Sequence, residues 1–131
     1  MKKKVAFTGT RHGMTPAQKK LFREVLGDVQ ATELIHGDCV GADADAHEIA
    51  ASLKILIKKR PCTLKKQRAF MKEGVVVAPP EAPLERNRKI VNDGDVLVAV
   101  PGNKFEELRS ETWATIRYAK SINKPVVILW P

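Results

Sequence analysis

The stretch Glu33-Leu34-Ile35-His36-Gly37-Asp38-Cys39-Val40-Gly41-Ala42-Asp43-Ala44-Asp45-Ala46-His47-Glu48-Ile49-Ala50-Ala51-Ser52-Leu53-Lys54-Ile55-Leu56-Ile57-Lys58 decides the fold. It opens with an apolar strand, Glu33 to His36. Gly37 and Gly41 bracket a tight turn, and Asp43 is placed to cap a helix from Ala44 to Leu53. In that helix Ala46, Ile49, Ala50 and Leu53 form an apolar stripe at helical spacing. A second strand, Lys54 to Lys58, follows. Strand, turn, helix, strand is the repeating unit of a parallel sheet.

The same alternation extends in both directions. Upstream, Lys4 to Thr8 is a strand. Thr15-Pro16 starts a helix with a hydroxyl cap and a proline at its first position. Leu21, Phe22, Val25 and Leu26 carry that helix to Gly27-Asp28. Downstream, Thr63 can cap a short basic helix through Met71, stopped by Gly74, and Val75 to Ala78 is a brief strand. Leu84 to Asn92 reads as helix and Asp95 to Val100 as a buried strand. Ser110 to Ile122 is the last helix, with Asn123 as a left-handed cap, and Val126 to Trp130 is the last strand. The pattern predicts an α/β chain, a single three-layer Rossmann-like domain over residues 1–131 with a mostly parallel sheet.

Bulk properties narrow the function classes. The chain has 131 residues, enough for one core. No apolar run approaches the roughly 18 residues of a membrane helix. The basic start Met1-Lys2-Lys3-Lys4 precedes too short an apolar run for a signal peptide. A cytoplasmic location and no membrane partner are therefore expected. Cys39 and Cys62 have no metal or disulfide spacing. Neither a metal nor a cofactor is expected. The net charge of +8 favours anionic partners, although blocks such as Lys58-Lys59-Arg60 and Lys65-Lys66-Arg68 also read as solvated faces. Seven aromatic residues offer few stacking platforms for single-stranded nucleic acid.

Four polar segments lie where strands give way to helices, the place where open parallel sheets bind ligands. In the first, Gly9 lets a ligand approach the backbone, Thr10 supplies a hydroxyl, and Arg11 a fork for phosphate or carboxylate. In the second, backbone N–H groups of Gly37, Asp38, Cys39, Gly41, Ala42 and Asp43 can hold an anion or a sugar oxygen. Asp38, Asp43 and Asp45 crowd that end, so sugar hydroxyls suit it better than phosphate. Asp43 also reads as a plain helix cap. In the third, Arg86-Asn87-Arg88-Lys89 reads as an anion clamp or as an exposed basic face. In the fourth, Pro101-Gly102 leads to Ser110-Glu111-Thr112 at a helix start, where Ser110, Thr112 and free N–H groups make an anion site. Glu111 either points outward or acts as a general base.

At these residues the chain resembles the SLOG superfamily, which joins the DNA-processing protein A family and the lonely-guy family of cytokinin-nucleotide phosphoribohydrolases. Gly37-x-Cys39-x-Gly41-Ala42-Asp43-x-x-Ala46-His47-x-x-Ala50 resembles the G-x-A-x-G-I-D-x-x-A-H-x-x-A of the first family. Thr8-Gly9-Thr10-Arg11 and Ser110-x-Thr112-x-x-Thr115 resemble its other turns. Arg86 falls on the catalytic arginine of the lonely-guy family. Thr115 stands where that family carries its catalytic glutamate, so catalysis would require Glu111 or Glu107. Overall the chain most resembles the small stand-alone SLOG proteins of bacteria and phages, read as nucleotide-binding.

Binding of a nucleotide or nucleotide-derived small molecule is the leading expectation. Arg11, Arg86 and the Ser110–Thr112 helix start would hold phosphates, and Gly37, Gly41 and Asp43 would approach the sugar or base. The alternatives are cleavage of the N-glycosidic bond of a nucleoside monophosphate, with Arg86 and Glu111 as catalytic residues, and single-stranded DNA binding. Exposed edges of a small sheet also allow homo-oligomers.

Overall fold

The computed structural model describes residues 2–72 and 76–131. Its strands are β1 (Lys3–Gly9), β2 (Ala31–His36), β3 (Leu56–Lys59), β4 (Val76–Val77), β5 (Val96–Val100) and β6 (Val126–Ile128). The helices are α1 (Pro16–Asp28), α2 (Ala42–Ser52), α3 (Pro83–Asp93) and α4 (Glu111–Ser121). The strands form one sheet in the order β4-β3-β2-β1-β5-β6, and every pairing is parallel. Strand order runs outward from β1 in one direction through β4 and in the other through β5 and β6. The switch point therefore lies between the ends of β1 and β5, where a crevice must open.

Alternation along the strands creates the three layers. Val5 and Phe7 of β1 with Val96, Val98 and Val100 of β5 pack on Phe22 and Leu26 of α1 and Ala46, Ile49 and Ala50 of α2. Ala6, Leu97 and Ala99 face the other way, onto Ile90 and Val91 of α3 and Trp113, Ile116 and Ala119 of α4. No helix among the described residues is long and apolar enough to cross a membrane.

Helix α1 begins with a full capping box. Gln18 N–H donates to Thr15 Oγ1 at 3.1 Å, and Thr15 N–H donates to Gln18 Oε1 at 2.9 Å. The buried Gln18 amide also donates to the carbonyls of Pro101 (3.1 Å) and Leu129 (2.9 Å), fixing the ends of β5 and β6. Asn123 has φ 60°, the left-handed end expected for α4.

Two local expectations are corrected. Asp43 is not the cap of α2; Gly41 holds that position and Asp43 lies within the first turn. The basic helix expected from Thr63 to Met71 is only a 3-10 turn at Lys65–Gln67. Asp38 explains why: its carbonyl accepts from Ala69 N–H (2.7 Å) and its Oδ1 from Met71 N–H (3.0 Å), drawing the segment out of a helix. Phe70 between them takes φ 54°. The helix stop assigned to Gly74 and the strand start at Val75 lie outside the described residues.

Candidate functional site

The loops after β1 and β5 and the start of α4 enclose an open cavity of about 470 Å³. Its walls are Gly9, Thr10, Arg11 and His12 from β1 and its loop, and Gly102, Asn103, Glu107 and Arg109 from the loop after β5. Ser110, Glu111 and Thr112 complete it at the start of α4. Ser110 caps α4 by accepting from Trp113 N–H at 3.3 Å, and its carbonyl accepts from Ala114 N–H. The first N–H groups of the helix, on Glu111 and Thr112, are left facing outward with the positive end of the dipole behind them. Thr112 is only 6% exposed, yet its hydroxyl has no hydrogen-bond partner among the described residues. Glu107 Oε1 accepts from Asn103 Nδ2 at 2.8 Å, which ties the loop down.

A chamber of about 30 Å³ adjoins this cavity across Gly9, Glu111 and Thr112. Gly37, Cys39, Asp43, Arg86 and Asn87 line its other side. The second polar segment is therefore split. Gly37, Cys39 and Asp43 reach the chamber, whereas Asp38, Gly41 and Ala42 line neither space. Pro101 also stands apart, its carbonyl held by Gln18. The buried Asp38 carboxylate faces Lys59 and Arg68. Gly41 is needed for geometry: it has φ 93°, and a Cβ there would lie 2.4 Å from the Arg11 carbonyl carbon. Ala42 N–H donates to Thr10 O, stitching the two loops together.

The amides of the second turn are occupied within the protein. Gly37 and Cys39 N–H both donate to Asp43 Oδ2 at 3.1 Å. Asp38 N–H donates to His36 Nδ1 at 2.9 Å, and Val40 N–H to Gln67 O. This turn therefore does not offer the anion cradle its glycines suggest. His36 Nδ1 is an acceptor, so its proton sits on Nε2 and donates to His47 Nδ1 at 2.8 Å. Burial first, then the neighbouring His47, Lys59 and Arg86, push the His36 pKa down to about 3. His36 is therefore a neutral residue of the core.

Arg86 is 2% exposed and works as an internal clamp. Nη1 donates to Gly37 O (2.8 Å) and Arg60 O (3.3 Å), Nε to Asn87 Oδ1 (2.7 Å), and Nη2 to Cys39 Sγ (3.6 Å). A Cβ on Gly37 would run into this guanidinium, so only glycine permits the approach. Burial raises the Asp43 pKa to about 6 against the pull of the Cys39 amide, Arg86 and the Gly37 amide. Burial and the Asp43 charge push the Cys39 thiol up to about 12, which argues against a thiolate nucleophile. Thr115 is buried and its hydroxyl donates to Glu111 O at 2.9 Å, so it presents nothing to either space. Among the described residues no group of three or more His, Cys, Asp or Glu side chains could hold a metal ion.

Sequence reasoning missed His12, Asn103 and Arg109 as wall residues; the last two lie in the loop from 102 to 109, which carries no periodic signal. It also missed Gln18, although the spacing Thr15-x-x-Gln18 is a capping-box signature.

No family model and no curated protein matches the chain. Two solved structures share its architecture. The molybdenum cofactor binding protein of the phototrophic bacterium Rippkaea orientalis superposes with a TM-score of 0.74 at 18% identity, over 100% of this chain and 78% of its own. DNA processing protein A of Helicobacter pylori, described for its single-stranded DNA binding mode, superposes with a TM-score of 0.62 at 22% identity. That match covers 95% of this chain and 64% of its own. At these identities the likeness is one of fold: with its all-parallel six-stranded sheet this chain has a Rossmann-like fold.

Proposed function

We propose that the chain binds a nucleotide or nucleotide-derived small molecule in the cavity at the β1/β5 switch point, with its anionic group at the start of α4. The observation that carries this reading is Thr112. Its hydroxyl has no partner within the described residues and keeps solvent contact at the cavity wall, beside two free helix N–H groups, where a ligand oxygen can replace water. Arg11 and Arg109 flank the same cavity and supply charge. Ligand binding in both structural neighbours is consistent with a binding role for this fold.

Thermal denaturation across nucleoside mono-, di- and triphosphates and cyclic nucleotides tests the reading. Ligand at about 100 Kd adds roughly 2.7 kcal/mol of stability. Thr112→Val, which keeps the shape and removes the hydroxyl, is expected to weaken binding about tenfold or more, the worth of one hydrogen bond to a charged group. No stabilisation by any member of the panel would sink the proposal. An enzymatic use of the cavity, N-glycosidic cleavage, would fall to Glu111, and free base released by wild type but not by Glu111→Gln would reveal it.

A second reading, single-stranded nucleic acid binding, draws support from the loop after β3. Phe70 is 52% exposed, and the Arg68 guanidinium lies 4.3 Å from its ring centroid. Asp38 anchors both flanks of Phe70, and Lys65, Lys66 and Lys72 are exposed nearby in sequence. A rigid aromatic beside cations suits base stacking. Oligonucleotide affinity that falls steeply with salt and drops in Phe70→Ala is expected on this reading.

A further inference from the structure

The small chamber has a chemistry of its own. Asp43 is 6% exposed, and its Oδ2 is held by two backbone N–H groups. Its Oδ1 takes no backbone hydrogen bond, and the Cys39 side chain is the further group that bonds to the carboxylate. Arg86 has five N–H donors, of which two go from Nη1, one from Nε and one from Nη2 to protein acceptors. One Nη2 hydrogen remains. Asn87 Oδ1 accepts from Arg86 Nε, which turns Asn87 Nδ2 away as a second unused donor. The chamber thus joins one rigid acceptor to two donors in about 30 Å³, room for one water-sized group. A phosphate is too large and would meet the Asp43 charge. A hydroxyl fits, because it donates and accepts at once.

We propose that this chamber is a hydroxyl-recognition subsite, in which Asp43 Oδ1 accepts from a sugar hydroxyl of the ligand and Arg86 or Asn87 donates to the same hydroxyl oxygen. The inference rests on the reading of the larger cavity as the anion site, since Thr112 and Glu111 border both spaces. It narrows the ligand to a phosphorylated sugar or nucleotide with an intact ribose hydroxyl. Asp43 becomes the residue that sets ribo over deoxy preference.

Protonation offers a second readout. Asp43 faces Cys39 from the turn after β2, Arg86 from α3 and Glu111 from α4, while β1 contributes only Phe7, Thr8 and Gly9. With the Asp43 pKa near 6, acidification removes the acceptor charge and the preference with it.

The test is calorimetric affinity for each of the four ribonucleoside 5′-monophosphates and its 2′,3′-dideoxy counterpart. Wild type at pH 7.5 is expected to bind at least one ribo form about tenfold tighter than its dideoxy partner. The ratio should shrink between pH 7 and pH 5. It cancels the titration of the ligand phosphate, which both members share. In Asp43→Asn the amide oxygen must keep the Gly37 and Cys39 N–H groups, so its NH2 faces the chamber. The ratio should then approach one. Equal affinity of ribo and dideoxy forms for wild type overturns the inference and leaves the larger cavity's role intact. Binding of none of them overturns the inference, and the reading of the larger cavity falls with it when no member of the wider nucleotide panel stabilises the protein either. The wild-type comparison stands even where Asp43→Asn fails to fold.

Discussion

Replacing Arg86 by methionine is expected to cost the fold before it costs any ligand. The guanidinium satisfies the carbonyls of Gly37 and Arg60 and the side chain of Asn87, and it lies beside the buried Asp43 carboxylate. An unsatisfied buried acceptor costs about 1–3 kcal/mol, and removing one member of a buried charge pair costs about 3–5 kcal/mol. These terms overlap, because water entering the chamber can serve one of the orphaned groups, so a total of about 3–5 kcal/mol is expected. For a chain of this size that lowers Tm by about 10–20 °C. Urea unfolding followed by the fluorescence of Trp113 and Trp130, whose rings lie 5.7 Å apart, measures it. Arg86→Lys keeps the charge without the fork and should fall between wild type and methionine. If Arg86→Met unfolds within about 1 kcal/mol of wild type yet loses nucleotide binding, the clamp argument fails and Arg86 acts on the ligand instead.

Acid should act through His36 and Asp43 in opposite senses. His36 is held neutral, its pKa lowered from 6.5 to about 3, so its contribution is complete above pH 6.5 and is lost as pH falls toward 3. Asp43, raised to about 6, gains stability from protonation between pH 6 and its unfolded value near 4. Wild type should therefore be nearly flat with respect to these two groups from pH 6 to 4. Asp43→Asn should expose a slope of about 1.4 kcal/mol per pH unit, read from urea midpoints at several pH values; a flat profile in that variant refutes the assignment. The Cys39 thiol, held protonated up to about 12, should resist iodoacetamide at pH 8 in the folded protein and react at the rate of a free thiol in urea. Fast native alkylation at Cys39 would contradict it.

The alternation of strands and helices was legible because each element carries its own period, and the Thr15-Pro16 and Asn123 boundaries have local causes. The cavity wall was legible at Gly9, Thr10, Arg11, Ser110 and Thr112, which sit at strand ends and a helix start. What sequence could not reveal was which polar groups the protein uses on itself. Asp38, the amides of Gly37 to Val40, and most of Arg86 are satisfied by partners far along the chain, such as Met71, Gln67 and Arg60. The basic helix failed for the same reason: a distant aspartate outbid local propensity. Long-range hydrogen bonding leaves no periodic trace.

The central position of β1 has a consequence for synthesis. Val5 pairs with Leu34 on one side early, but its other neighbour is Val96, made only when most of the chain has emerged. Until then one edge of β1, lined by Val5, Ala6 and Phe7, stays open to unintended partners. The cavity needs Gly9 and Thr112 together, so it cannot exist before α4 is made. The candidate site is thus among the last parts of the molecule to be assembled, with only β6 still to follow, and a ligand there can stabilise the nearly finished protein but cannot guide the early nascent one.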